Sequence, residues 1–395
     1  MKRIGFIASL LFTMSSSAQE QSVKKIPGMV IQHVSKGSKL YIGSPSICIL
    51  PDGNYLATHE YFGPNRTGKS RVQVYHSANR GKSWERISEI EGQEWSQLFV
   101  LDKQIFIIGP ETAYGDVVIR RSSDGGHSWT RPDTEQQGRL LKGRFHSSAT
   151  PVLIYRNRVW KALEDQDGPG GQWGRGFRSF IISAAVDADL LNAESWTISN
   201  TLGYDSSYLD GHFGGWLEGN AVPTPDGHVA TMLRTDYRVN GNEKAAIINV
   251  SDDGKTISFN PATGFIDFPG GCKKFSIRYD SLSHRYWTIS NYVPAVFKGG
   301  NPERTRNTAA LMSSTDLKTW EVRGIVLHHP DVEKHGFQYV DFQFDGKDMI
   351  AVSRTAFDDE DGGADNQHNA NYLTFHRVKN FRNYKTPEVW RALLP

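Results

Sequence analysis

The chain has 395 residues but only two cysteines, Cys48 and Cys272. That is too few for a disulfide framework or a thiolate metal site. Both lie in apolar, strand-like stretches and read as buried free thiols, with a single bridge as the lesser alternative. An excess of one charge is also missing. Lys and Arg number 45 against 43 Asp and Glu, a net charge of +2. A nucleic-acid binder would need a basic surplus or stripe, so that class is set aside. The mean hydropathy of −0.48 excludes a polytopic membrane protein. No stretch keeps a 3.6-residue apolar period, and neither a Rossmann glycine fingerprint nor a P-loop is present.

Turn formers and aromatic residues are plentiful. There are 38 Gly and 17 Pro, which suits many short strands better than long helices. Trp, Tyr and Phe number 10, 15 and 20, as in sheet cores and sugar-binding surfaces. At the start, Lys2 and Arg3 precede the apolar run Ile4 to Phe12 and then Ser15-Ser16-Ser17-Ala18. This is the pattern of an export signal over residues 1–18, with an apolar run too short to anchor in a bilayer. Residues 19–395 would then be one periplasmic or secreted domain.

A short motif recurs. Ser77-Ala78-Asn79-Arg80-Gly81-Lys82-Ser83-Trp84 and Ser122-Ser123-Asp124-Gly125-Gly126-His127-Ser128-Trp129 are full copies. Ser251-Asp252-Asp253-Gly254-Lys255-Thr256 lacks the Trp, and Ser314-Thr315-Asp316-Leu317-Lys318-Thr319-Trp320 is one residue shorter. Ser183 with Ser195-Trp196 is a degenerate fifth candidate. The Asp or Asn side chain accepts from backbone N–H groups just ahead, Gly takes the positive φ, and Trp covers the hairpin. A second turn signal alternates with it: Pro51-Asp52-Gly53, Pro225-Asp226-Gly227 and Asp345-Gly346. Together they define four-stranded units, six in all, with inner strands starting near Gly43, Trp95, His146, Trp216, Lys273 and Gly336. The expected fold is all-β, a six-bladed propeller closed by the segment Met29–Val34.

In such a blade the short turns share one rim, and the longer 2–3 loops and inner-strand starts share the other. The loop rim collects Trp95, Arg144, His146, Glu218, Tyr339 and Asp341 from inner strands. Strand-2 ends and strand-3 starts add Glu60, Glu164, Asp165, Arg234, Asp236, Arg306 and Arg354, and loops add Trp173, His212 and His368. Aromatic and charged groups at one mouth suit a carbohydrate. The aspartates of the turn motif fall on the opposite rim and read as structural.

The turn motif is the Asp-box, and the chain resembles the sialidase-like superfamily. Trp216-Leu217-Glu218-Gly219-Asn220, followed by Leu233-Arg234, is similar to the sialidase segment with a catalytic Glu and then a binding Arg. Arg306, ahead of the Asp316 motif, resembles the next binding Arg, and Phe337-Gln338-Tyr339-Val340-Asp341 resembles the segment with the nucleophilic Tyr. The resemblance implies an exo-glycoside hydrolase in which Glu218 takes the Tyr339 proton and Arg234 and Arg306 grip a carboxylate. Arg144, Asp341, Trp95, His212 and His368 are further substrate-site candidates. Two family features are missing: Gly43-Ser44-Pro45-Ser46 lacks the first Arg, and loop 61–70 lacks the acid Asp. Either Arg66 or Lys69 completes the clamp, or the terminal acidic sugar is not sialic acid.

His146 is an alternative acid or base, because imidazole titrates near neutrality. With it the same scaffold could work as a uronate lyase, and a non-catalytic glycan binder is the third reading. No cofactor is expected. The run Asp358 to Asp365 has oxygen ligands for Ca²⁺, but its spacing is not that of an EF-hand, so it reads as a solvated acidic loop.

Overall fold

The computed structural model describes residues 25–169, 171 and 173–395. The expected export signal, residues 1–18, lies outside them.

Six antiparallel sheets follow one another along the chain. The first blade runs Ser46–Ile49, Tyr55–Phe62, Arg71–Ser77 and Glu85–Glu91, with Tyr41–Ile42 extending its inner edge. The second runs Gln97–Leu101, Gln104–Pro110, Val117–Ser122 and Arg139–Leu141. In the third, the inner edge is split into Phe145–His146 and Leu153–Tyr155, before Arg158–Asp165, Arg178–Ala185 and Trp196–Ile198. The fourth is Trp216–Pro223, Val229–Thr235, Lys244–Val250 and Ile257–Ser258, and the fifth Arg278–Asp280, Arg285–Asn291, Thr308–Ser314 and Glu321–His328. The sixth takes Gly336–Asp345, Asp348–Ala356 and Tyr372–Val378, and receives Met29–His33 as its outer strand. Pairing of Met29 with Phe375 ties the start of the chain to its end and closes the ring as expected.

Each blade is covered on both faces by its neighbours, so its middle strands are apolar nearly throughout. Val229–Thr235 is buried along its whole length. One apolar cluster fills each of the six junctions. Val72 and Val74 meet Leu98 and Ile107 between blades one and two. Ile350 and Leu373 meet Ile47 and Tyr55 between blades six and one.

In all four serine turns the Ser hydroxyl bonds the Asp or Asn side chain, which accepts from a backbone N–H ahead: Ser122 Oγ bonds Asp124 at 2.8 Å and the Ser128 N–H donates to Asp124 at 2.9 Å. In two of them the Trp indole also donates to a turn carbonyl, Trp129 to Gly126 O at 3.1 Å and Trp320 to Leu317 O at 2.9 Å. In the first copy Gly81 lies against Phe375 with φ +84°, where a Cβ would come within 2.2 Å of the ring. Only glycine fits there.

Two expectations are corrected. Ser183 and Trp196 form no such turn: Ser183 bonds Arg158, and the Trp196 indole donates to Leu190 O. The fifth inner strand begins at Arg278 rather than near Lys273. Lys274 Nζ and Ser276 Oγ instead donate to Val340 O of blade six, each at 3.0 Å. Cys48 and Cys272 are free and buried.

Candidate active site

The site begins with two matching irregularities. In blade four, Leu217 pairs Arg234 and Asn220 pairs Met232; in blade six, Gln338 pairs Arg354 and Asp341 pairs Val352. Each inner strand carries one extra residue, a β-bulge. The bulged residues are Glu218 and Tyr339, with φ +55° and +56°. Left-handed backbone at a non-glycine residue costs on the order of 1–3 kcal/mol. Neighbouring blades hold it in place. Glu164 Oε1 accepts from Gly219 N at 3.0 Å, and Lys274 and Ser276 hold Val340 O. Trp95, just before the second inner strand, has the same hand, φ +47°.

Strand two supplies an arginine opposite each bulge. Arg234 Nη1 donates to Glu218 Oε2 at 3.0 Å. The Arg354 guanidinium lies 4.7 Å from the centre of the Tyr339 ring and 4.4 Å from that of Phe62. Arg306 joins from blade five, with Nη1 donating to Gln338 at 2.6 Å and Nη2 to Glu303 at 2.6 Å. Burial, then the Glu218 charge, raise the Tyr339 phenol pKa above its ordinary value, while Arg234, Arg354 and Arg306 pull it down. Arg354 thus packs on the Tyr339 ring, and the Glu218, Arg234 and Arg306 charges act on its phenol. Burial would raise the Glu218 pKa, but Arg234, His146 and Lys274 hold it below the usual carboxylate range. Burial lowers Arg354 to about 10. The Nε atoms of Arg234 and Arg354 are buried without a partner. Such orphaned donors cost about 1–3 kcal/mol each until an acceptor arrives.

Other sequence candidates fall around this cluster. His146 Nδ1 meets Glu164 at 3.0 Å, and its ring lies 4.9 Å from Trp95. That leaves Nε2 with no hydrogen-bond partner among the described residues. His368 is tied to Arg354, which donates to its carbonyl at 2.7 Å, and burial drives its imidazole pKa down to about 2.

Four candidates lie elsewhere. Arg144 is turned out to solvent on Asp167 and the Gln166 carbonyl, with its side chain 61% exposed. Asp341 is fully buried on the ring axis, where Ser46, Ile47 and Gln97 all donate to its Oδ2. Its position after the bulge turns it inward, so it braces blades one and two. Arg66 is bound to Glu94 at 2.5 Å and to Ser70. His212 is exposed in a groove beside Trp173. In the acidic run, Asp359 accepts from Asp361 N, Gly363 N, Asn371 and His33. Among the described residues, no group of three or more metal-ligand side chains is gathered.

The sequence reading assigned no role to three participants. Arg354 takes the third guanidinium position; its signal is the repeated Arg-Thr pair ending strand two, Arg234-Thr235 and Arg354-Thr355. Glu303 enters from the fifth loop. Burial would raise its pKa, but Arg306, Arg234 and Arg238 bring it down to about 2. Glu60 sits beneath the first blade's start, where Oε1 accepts from Ser44 N at 2.7 Å. Burial, then Glu94, raise its pKa to about 7.

Neither a protein-family model nor a curated protein sequence matches the chain. Solved structures do. A Dyadobacter fermentans protein of unknown function shares 17% identity over 90% of this chain and 100% of that one, at TM-score 0.60. The Hadza microbial sialidase Hz136 shares 13% over 90% of this chain and 70% of that one, at 0.59. The GH93 α-L-arabinofuranosidase of Fusarium graminearum, solved with arabinobiose, shares 13% over 89% and 96%, at 0.54. The chain shares the six-bladed propeller fold of these proteins.

Proposed function

We propose that this chain is an exo-acting glycoside hydrolase that removes a terminal sugar bearing a carboxylate. The observation behind this reading is the setting of Tyr339, with Arg354 packed on its ring and the Glu218, Arg234 and Arg306 charges acting on its phenol. Glu218 would accept the phenol proton as Tyr339 Oη bonds to the anomeric carbon and the glycosidic oxygen leaves, taking up a proton from solvent water. Water would then attack the anomeric carbon and lose a proton to solvent, while the departing tyrosine oxygen regains its proton from Glu218. A neutral nucleophile approaches an anionic sugar without the repulsion a carboxylate would meet. The orphaned Nε donors of Arg234 and Arg354 suit a carboxylate's two oxygens. Proteins sharing this fold act on glycosides as sialidases and arabinofuranosidases, which supports the reaction class.

The test is to incubate the protein with 4-methylumbelliferyl glycosides of N-acetylneuraminic, 3-deoxyulosonic and glucuronic acids, and with a glycan panel read by mass. Release of an acidic monosaccharide that Tyr339→Phe abolishes is the expected result. Unchanged rates in that variant would refute the role of Tyr339. The His146–Glu164 pair, whose Nε2 has no partner among the described residues, favours one alternative, proton abstraction in a uronate lyase. An ultraviolet-absorbing unsaturated product would decide for it.

A further inference from the structure

Next to the Glu218 corner lies a groove of about 500 Å³. It is lined by Trp173 and Arg175 of the third-blade loop, Asp236 and Arg238 of the fourth-blade loop, and His212. Close backbone approaches build its floor. Gly215, φ +141°, would place a Cβ 2.1 Å from Gly174 O, and Gly214 one 2.4 Å from the Asp236 Cβ. Larger residues would push the two loops apart, so the cleft is fixed by packing. Trp173 is 47% exposed, a large apolar surface to leave in water. Its ring meets Arg234 at 5.6 Å, and Arg234 is the residue bonded to Glu218. One side chain thus links the groove to the candidate nucleophile pair. The walls offer both signs of charge: Arg238 Nε donates to Asp236 Oδ1 at 2.7 Å, and Asp236 Oδ2 has no partner among the described residues. An aromatic face flanked by a carboxylate and guanidinium groups is a surface for a sugar ring and its hydroxyls.

We propose that this groove holds the sugar adjoining the terminal one, a neutral hexose or pentose whose ring lies on Trp173 and whose hydroxyls bond Asp236. The proposal rests on the reading of Tyr339 and Glu218 as the cleavage centre, and it makes the substrate an oligosaccharide rather than a small glycoside. The groove's occupant is not the sugar that is cleaved off, so it can be probed alone.

The first measurement is binding of lactose, xylobiose and arabinobiose to the full chain, followed by the Trp173 indole resonance in ¹⁵N-labelled protein. At least one disaccharide should shift that resonance, and Asp236→Ala should weaken it about tenfold or more. No shift with any of the three would overturn the proposal, as would binding that survives both Trp173→Ala and Asp236→Ala. The second compares kcat/KM on an aryl glycoside and on the lactosyl glycoside of whichever acidic sugar is released. Trp173→Ala should lower the lactoside value about tenfold more than the aryl value. Equal losses on both would overturn the proposal, because Trp173 would then act through Arg234. If the parent protein turns over neither compound, the hydrolase reading falls, and the disaccharide titration alone decides the groove.

Discussion

Replacing Glu60 with Gln removes a buried titratable carboxyl while keeping the side chain's shape. Glu60 is 2% exposed, Ser44 N donates to its Oε1, and its Oε2 has no partner. Burial, then the Glu94 charge, raise the carboxyl from 4.5 to about 7. Between those values the folded chain holds a proton that the unfolded chain has released. Stability from this group is therefore present at low pH and is lost as pH rises through the folded value. The full loss is on the order of 3 kcal/mol, of which about 2.5 kcal/mol falls between pH 5 and pH 8. Gln does not titrate. Its amide brings only a pH-independent offset, because it faces the same partnerless position. His59, lowered to about 4 by burial, slopes the other way but is present in both proteins and cancels in their difference. Urea unfolding of parent and Glu60→Gln across that range should show the difference moving in the variant's favour by about 2–3 kcal/mol as pH rises. A flat difference would refute a neutral buried carboxyl at this position.

Other outcomes are expected. Tyr339→Phe should cut turnover roughly 10³-fold or more while the urea midpoint stays near that of the parent. Arg354→Lys, which loses the planar fork, should raise KM for the acidic substrate about tenfold; an unchanged KM would remove Arg354 from the clamp. Asp124→Ala breaks three turn hydrogen bonds on the far rim, from Ser122 Oγ, Ser128 N and Ser128 Oγ, and should cost about 1–3 kcal/mol with kinetics unaltered. Burial raises the Cys48 thiol to about 12 and Cys272 higher still, so neither should react with a thiol reagent until the chain is denatured.

The ring itself was legible because its instructions are local. In each serine turn a side chain reaches backbone N–H groups two to five residues ahead, as Asp316 reaches Lys318 and Thr319 and Ser251 reaches Thr256. Those contacts fix hairpins, and hairpins fix blades. The closing strand Met29–His33 and the placement of Glu218, Tyr339 and Arg234 in the loop-side halves of their strands follow from alternation and turn order alone.

The chemistry of the mouth was not legible. That Glu218 and Tyr339 stand on bulges depends on strand register, which nothing in either side chain encodes. Arg354, Glu303 and Lys274 come from three different loops or strands, and their charges act on one another only after the blades close. Asp341 and Arg144 show the same limit from the other direction. A residue's distance along the chain from the mouth is sequence information, but whether it faces the cavity, the axis or solvent is set by packing. Backbone turns are decided by neighbours in sequence, whereas burial, and with it every shifted ionisation, is decided by neighbours in space.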